Sequence, residues 1–173
     1  MWVFAIICLV IIMLEVKEYS NEYIKEATEI WNEVVADGVA FPQMDFLNEK
    51  SGDNFFREQS FTGLAFLDGD VAGLYILHPN NIGRCAHICN ASYAVRADMR
   101  GKGVGRTLVE HCMKKGSELG FKILQFNAVV ASNTTALALY KNLGFTRLGI
   151  IPNGFLNKNN IYEDIIPHYI ELN

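Results

Sequence analysis

The chain has 173 residues, of which 50% are hydrophobic, 12% aromatic and 20% charged. This length favours one domain over two, and this composition excludes a disordered or low-complexity protein, because enough apolar surface can be buried to offset the lost chain entropy. With 15 Lys and Arg against 19 Asp and Glu, the net charge of -4 excludes the broad basic field of a nucleic-acid-binding protein, so any anion site must be local.

The N-terminal residues Met1 to Leu14 form an uncharged apolar run. The run is shorter than the about 20 residues that a helix needs to cross a bilayer. A secretory signal is disfavoured too, because no basic residue precedes the run and Glu15 and Lys17 follow it. We expect residues 1–12 to be an apolar leader, either β-rich or upstream of a start at Met13, with a membrane anchor as the alternative.

Two helices are predicted in the first part of residues 13–173, after an edge strand that begins near Met13. From Ser20 to about Ala36, apolar residues recur at helical spacing, with Ser20 as the N-cap and Gly38 after the last turn. This helix is amphipathic and is expected to pack on the core. After a loop, Ser51 is predicted to cap a second, short helix.

Strands and helices alternate in the rest of the chain. Thr62–Leu67 and Val71–His78 are β-prone, and Asp68-Gly69 between them is a strong signal for an antiparallel hairpin. The later elements are predicted as a strand at Ala86–Val95, a helix after a glycine-rich turn, a strand at Lys122–Val130, a helix at Asn133–Leu143, and strands at Thr146–Ile151 and Ile161–Ile170. This order predicts one mixed α/β domain whose sheet is mostly antiparallel, with one right-handed crossover.

The glycine-rich turn at Arg100–Thr107 lies between a predicted strand and a predicted helix. The first N–H groups of a helix have no intrachain partner, and glycines let them approach an anion, so this turn is a candidate phosphate site. A plain glycine loop with a solvated basic face is the alternative. A dinucleotide-binding motif from Gly101 would need glycine in place of Arg106, and a triphosphate loop would need Gly-Lys-Ser/Thr there, so both are excluded.

The motifs of this half of the chain resemble those of the GCN5-related N-acetyltransferases (GNAT family). The residues that carry the resemblance are Arg100-x-x-Gly103-x-Gly105, Asn133, Ala136, Tyr140 and Leu143-Gly144-Phe145. The resemblance implies a GNAT-like α/β domain at 13–173, with a mostly antiparallel central sheet flanked by helices. It also implies that the glycine-rich turn holds the pyrophosphate of acetyl-CoA, which serves as co-substrate.

The same resemblance implies roles for individual residues. Those of the implied pyrophosphate clamp are Arg100, Gly101, Lys102, Gly103, Val104, Gly105 and Arg106. Val95 would pair with the pantetheine arm, Asn133 would contact the cofactor, and Tyr140 would protonate the leaving thiolate. A core tyrosine of an amphipathic helix is the alternative for Tyr140, but Asn133, seven residues earlier and about two turns along one face, favours the catalytic role.

A closer resemblance is to the yeast-type L-azetidine-2-carboxylate N-acetyltransferases, which acetylate small imino acids. The segments that carry it are Asn90-Ala-Ser-Tyr93-Ala-Val, the glycine-rich turn, Phe126-Asn127, Gly144-Phe145-Thr-Arg-Leu-Gly and Ile151-Pro152-Asn-Gly154. It implies that Asn90 and Asn127 hold the substrate and that the chain forms a homodimer. For an asparagine in a strand, an edge or bulge position is the alternative. The polar segment Ile150–Asn160 is a candidate lid over the acceptor.

The remaining reactive side chains support no metal site. Cys85, His87 and Cys89 alternate on a predicted strand, but zinc normally needs four ligands and no second pair exists. Cys112 is expected to pack in the core. The other histidines, His78, His111 and His168, are expected at the surface or at caps. The last strand pair carries Glu163 and Asp164, each either a base or a solvated carboxylate. The four cysteines, Cys8 included, favour a reducing, cytoplasmic compartment.

The function that we predict is an acetyl-CoA-dependent N-acetyltransferase, which moves an acetyl group to the amine of a small amino-acid-like or imino-acid substrate in a ternary complex. The alternatives are a protein or peptide N-acetyltransferase, a CoA-binding sensor without catalysis, and a membrane-tethered acyltransferase that uses residues 1–14. No metal cofactor and no nucleic-acid partner are expected.

Overall fold

In the computed structural model, which describes residues 13–173, a mixed sheet carries helices on both faces. The strands are β1 (Leu14–Glu18), β2 (Phe61–Leu67), β3 (Asp70–Pro79), β4 (Ile88–Val95), β5 (Ile123–Val130), β6 (Thr146–Arg147), β7 (Ile151–Leu156) and β8 (Tyr162–Glu171). The helices are α1 (Ile24–Asp37), α2 (Glu49–Arg57), α3 (Val104–Glu118) and α4 (Thr134–Asn142). The leader predicted at residues 1–12, with Cys8, lies outside the described residues.

The strand order of the sheet is β1-β2-β3-β4-β5-β8-β6, and β7 also pairs with β8. Among the strand pairs of the described residues, β4 and β5 alone run parallel. The prediction of a mixed α/β fold with a mostly antiparallel sheet flanked by helices is therefore confirmed. Within the part of the chain that the structure describes, no helix combines the length and the hydropathy needed to cross a membrane.

The β2–β3 hairpin forms where the sequence predicted it. Asp68 and Gly69 both have positive φ angles, 53° and 94°, as a tight turn that matches the twist of the strands requires. Both strands are buried on both faces, because helices cover the two sides of the sheet. On one side, α1 and α2 pack against the sheet around Trp31, whereas on the other α3 packs against it around Leu108.

Two predicted helix caps are wrong. Ser20 precedes a short 3₁₀ turn, its side chain makes no cap hydrogen bond, and α1 starts only at Ile24. At α2 the N-cap is Asn48, whose Oδ1 accepts the N–H of Ser51 at 2.9 Å, while the Ser51 hydroxyl accepts the N–H of Asn48 at 2.9 Å. This reciprocal pair is a capping box, in which Ser51 takes the third helical position.

The predicted strand at Ala86–Val95 begins two residues later, at Ile88. Cys85 belongs to a 3₁₀ turn and is exposed, whereas Cys89 is fully buried in β4. Cys85, His87 and Cys89 therefore do not alternate along one strand, because of the three only Cys89 lies in β4. Among residues 13–173, no three His, Cys, Asp or Glu side chains cluster as metal ligands would.

The C-terminal region also differs from its prediction. The strand predicted at Thr146–Ile151 is split into β6 and β7, and most of the segment predicted as a polar lid is β7, which pairs with β8 and buries Phe155. His168, expected at the surface, is buried in β8, where its Nδ1 lies 2.8 Å from the carbonyl oxygen of Ile166. The packing of α4 against β8 accounts for this burial, since the ring centroids of Tyr140 and His168 lie 6.0 Å apart.

Candidate active site

The parallel strands β4 and β5 separate soon after they begin. They pair only at Ile88 with Ile123 and at Cys89 with Leu124, and then diverge. Beyond this point β4 pairs with β3 on its other edge as far as Val95, so one edge of β4 has no strand partner among the described residues. The result is a cleft in the middle of the sheet, between β4 and β5.

A cavity of about 1040 Å³ fills this cleft. Its walls are formed by β4 from Asn90 onward, β5 from Phe126 onward, the N-terminus of α3, residues of α4, and the loop that follows α1. The site residues predicted from the sequence that line it are Asn90, Val95, Arg100, Gly101, Gly103, Gly105, Arg106, Asn127, Asn133 and Tyr140. The two that do not are Lys102, which is exposed, and Val104, whose side chain is buried beside Gly73.

The N-terminus of α3 presents unpaired backbone donors to this cavity. Gly103 caps the helix with a φ angle of 87°, which glycine adopts without strain. Thr107 is the first residue of α3 whose N–H reaches back, to the carbonyl oxygen of Gly103 at 3.1 Å. In the described part of the chain, the N–H groups of residues 101–106 have no backbone acceptor. These donors, together with the helix dipole, make the turn suited to an anion such as a phosphate.

Arg100 forms an ion pair with a carboxylate that no sequence motif marks. Its Nη2 lies 3.1 Å from Oδ2 of Asp37, the last residue of α1, and its Nε donates to the carbonyl oxygen of Val95 at 3.4 Å. Asp37 and Arg100 both line the cavity. A bound pyrophosphate at the turn would therefore compete with Asp37 for the guanidinium.

We expect Asp37→Asn to tighten the binding of CoA by about 2- to 5-fold, the range that an exposed ion pair supports. The substitution removes both the competitor for Arg100 and a negative charge at the cavity mouth. Calorimetric titration with CoA measures the change, and Asp98→Asn is the matched control, since Asp98 pairs with Arg96 at 2.7 Å and does not line the cavity. Weaker binding in Asp37→Asn alone would show instead that Asp37 holds Arg100 in its binding position.

Asn133 and Tyr140 lie at opposite ends of α4. Asn133 is the N-cap, with its Oδ1 accepting the N–H of Ala136 at 3.1 Å, so this asparagine also has a structural role. Tyr140 is 9% exposed and packs on Phe126 and Phe145, with ring centroids 4.5 Å and 5.4 Å away. Burial raises the pKa of the Tyr140 hydroxyl, which is therefore protonated at neutral pH.

Asn90 and Asn127 lie on the two strands that border the cavity. Oδ1 of Asn90 accepts the backbone N–H of Ala91 at 2.8 Å. Asn127 occupies a bulge of β5, since the register with β8 shifts between Phe126 and Val129. The bulge lies opposite Pro167, which has no N–H to donate to a regular ladder. The alternative of a bulge position thus applies to Asn127, and the same bulge places this side chain at the cavity wall.

Asn80 is a polar residue near the site that no sequence motif marks. It follows β3 and forms two hydrogen bonds with Asn127: Asn127 Nδ2 donates to Asn80 Oδ1 at 2.7 Å, and Asn80 Nδ2 donates to Asn127 Oδ1 at 3.3 Å. The Pro-Asn-Asn sequence at 79–81 indicates only a turn. No local signal reveals a contact between residues 47 positions apart.

The carboxylates that the sequence left open as candidate bases are engaged elsewhere. Glu163 Oε1 accepts Nδ2 of Asn157 at 2.8 Å, and hydrogen bonds from Ser132 and Asn157 lower the pKa of Glu163. Asp164 Oδ1 accepts the N–H of Asn153 at 3.0 Å. Both therefore stabilise the β7–β8 hairpin. Cys112 is fully buried, and this burial raises the pKa of its thiol, as expected for a packing residue.

Comparison with known proteins identifies relatives of this chain. The model of the acetyltransferase (GNAT) family matches residues 19–145. N-acetyltransferase aca1 of Schizosaccharomyces pombe is 40% identical over 95 residues, which cover 54% of this chain and 46% of that protein. The chain thus spans less than half the length of this curated relative.

Solved structures share the fold over nearly the whole chain. A GCN5-related N-acetyltransferase from Kribbella flavida is 30% identical, with a TM-score of 0.84 over 92% of this chain and 98% of that one. The yncA protein of Salmonella typhimurium, solved with its cofactor acetyl-CoA, is 16% identical, with a TM-score of 0.86 over 93% of this chain and 95% of that one. The second likeness concerns the fold alone.

Proposed function

Because the chain belongs to the acetyltransferase (GNAT) family, we propose that residues 13–173 form an N-acetyltransferase domain that uses acetyl-CoA and acts on a small amine. The observation that carries this proposal is the cleft between β4 and β5, which ends at the unpaired N–H groups of α3. The structure of yncA with acetyl-CoA supports the choice of donor, since its fold is the same.

The donor would be held by backbone groups more than by side chains. The N–H groups of residues 101–106 offer donors to the pyrophosphate, and Arg100 and Arg106 add positive charge at the cavity wall. Lys102, exposed beside the turn, contributes only its charge and its backbone. The strand edge of β4 that β5 leaves unpaired, up to Val95, can pair with the amides of the pantetheine arm.

Acetyl-CoA supplies the acetyl group as a thioester. Tyr140 then acts as the general acid: its hydroxyl donates a proton to the departing sulfur as the acceptor nitrogen bonds to the acetyl carbon and the C–S bond breaks. The nitrogen releases its own proton to solvent, from which Tyr140 is reprotonated. The chain orients the two substrates in one cleft, and the reaction needs no covalent enzyme intermediate.

The acceptor that we propose is a small amino acid or imino acid. Asn90 and Asn127 border the cavity opposite the anion turn, and an amide offers both a donor and an acceptor without a fixed charge. The resemblance to the yeast-type L-azetidine-2-carboxylate N-acetyltransferases supports an imino acid. From the same resemblance we propose a homodimer, and we propose a cytoplasmic location because the four cysteines of the sequence show no secreted disulfide framework.

Two measurements test this function. Calorimetry with CoA should show binding, and thiol release from acetyl-CoA should depend on an added amine from a panel of L-azetidine-2-carboxylate, L-proline, primary amines and a peptide. We expect the imino acids to give the fastest release. An absence of heat with CoA contradicts the proposed function, binding without thiol release favours a CoA-binding sensor, and release with the peptide alone favours a peptide N-acetyltransferase.

A further inference from the structure

The side-chain amides of Asn80 and Asn127 are hydrogen-bonded to each other near the cavity, and this pair has no role in the proposed binding of acetyl-CoA. Asn80 is held in place from its own side, because its backbone N–H donates to the carbonyl oxygen of Ile88 at 2.8 Å. Asn127, by contrast, is exposed and lies in a bulge, where the regular pairing of β5 is interrupted. The pair therefore ties a weakly constrained side chain to a well anchored one.

A third amide completes the arrangement. Gln125 Nε2 donates to Oδ1 of Asn127 at 2.9 Å, so this oxygen accepts two hydrogen bonds, one from Gln125 and one from Asn80. Nδ2 of Asn127 donates one hydrogen bond, to Asn80. A primary amide has two donors and one oxygen with two lone pairs. Asn127 thus keeps one N–H for a ligand, and its oxygen is fully used.

The side-chain amide of Asn90 is oriented like that of Asn127, with its oxygen engaged in a hydrogen bond and its nitrogen as the donor end. Its Oδ1 accepts the backbone N–H of Ala91, which fixes which end of the amide is the oxygen. Nδ2 of Asn90 then remains as the donor end at the cavity wall. The two asparagines therefore both present N–H groups, which match the oxygen atoms of a carboxylate better than they match an ammonium group.

We propose that Asn80 is a positioning residue for the acceptor site: it orients Asn127 so that one N–H of Asn127 binds a carboxylate oxygen of the acceptor. This inference rests on the proposed function and deepens it. Without Asn80, the side chain of Asn127 would keep only the hydrogen bond from Gln125 and would sample other rotamers. Ordering it on binding would then cost entropy and weaken the affinity for the acceptor. Asn80 itself does not line the cavity, so it acts through Asn127.

Kinetics with L-azetidine-2-carboxylate as the probe test this role. We expect Asn80→Ala to raise the KM of the probe by about tenfold, with kcat and the affinity for CoA unchanged. Asn81→Ala is the matched control, since Asn81 is the exposed neighbour in the same turn. In an Asn127→Ala background, Asn80→Ala should change KM no further, because the two residues act as one unit.

A second measurement needs no acceptor. In ¹⁵N-labelled protein, the Nδ2 signals of Asn127, assigned by their loss in Asn127→Asp, should shift and exchange faster with solvent in Asn80→Ala but not in Asn81→Ala. Equal signals in the two variants, or an equal KM, overturn the positioning role. If the probe releases no thiol although CoA binds, the proposed substrate class fails, and the amide signals alone decide whether Asn80 holds Asn127.

Discussion

Tyr140→Phe is expected to lower kcat by about 100-fold and to leave the affinity for CoA unchanged, a loss in the range that general-acid catalysis accounts for. Phenylalanine preserves the ring packing on Phe126 and Phe145, so the fold should be maintained. The substitution removes the hydroxyl alone, and with it the proton that we propose for the leaving thiolate. Steady-state thiol release and calorimetry with CoA measure the two quantities.

Tyr93→Phe is the matched control for this experiment. Tyr93 also borders the cavity and packs on Phe126, but its hydroxyl is buried and has no hydrogen-bond partner among the residues that the structure describes. Its removal should leave kcat within about twofold, because the Tyr93 hydroxyl has no part in the proposed proton transfer. It should not destabilise the fold, because a buried hydroxyl without a partner costs free energy. A kcat for Tyr140→Phe equal to that of Tyr93→Phe would remove Tyr140 from its catalytic role.

Gly105→Asp is expected to weaken the binding of CoA by about 100-fold or more, while the melting temperature is unchanged or slightly raised. Gly105 is the second residue of α3, where a carboxylate interacts favourably with the helix dipole, so the helix should form at least as well. The same carboxylate would accept hydrogen bonds from the N–H groups of the turn, in competition with the pyrophosphate, and its charge would repel the pyrophosphate. A repulsion of about 3 kcal/mol at close range accounts for this loss.

Gly105→Ala separates charge from size in this experiment. A Cβ at position 105 would lie 3.8 Å from both Leu139 and Val95, an ordinary contact distance, so a methyl group fits. We expect alanine to change the affinity for CoA by less than about fivefold, because it leaves the charge of the turn unaltered. Calorimetry and thermal denaturation of both variants measure the outcome. Equal affinity in Gly105→Asp and wild type would exclude α3 as the anion site.

Most helices and strands were predictable because their signals are local. Asp68-Gly69 has the torsional freedom that the β2–β3 turn needs, and the glycines before α3 mark the end of a strand and the start of a helix. The errors in the helix caps arose where local signals are ambiguous. At α2, for example, Asn48 and Ser51 are both good caps, and the sequence alone does not decide which one begins the helix.

The candidate site was predicted less completely than the fold. The residues to which the resemblance assigned a binding or catalytic role line the cavity, with the exceptions of Lys102 and Val104. The residues that no motif marks were missed, namely Asp37 beside Arg100 and Asn80 beside Asn127. Both contacts join parts of the chain that are far apart in sequence, so they depend on how the elements pack.

The sequence by itself determined the order of elements, the hairpin and the glycine-rich turn before α3, because torsional preferences and helix ends depend on neighbours a few residues away. The formation of the cleft and the choice of residues that line it depend on the tertiary structure alone. The separation of β4 from β5 creates the cavity, and the bulge opposite Pro167 places Asn127 at its wall. These features follow from the pairing of strands distant in the chain, for which no single segment carries the signal.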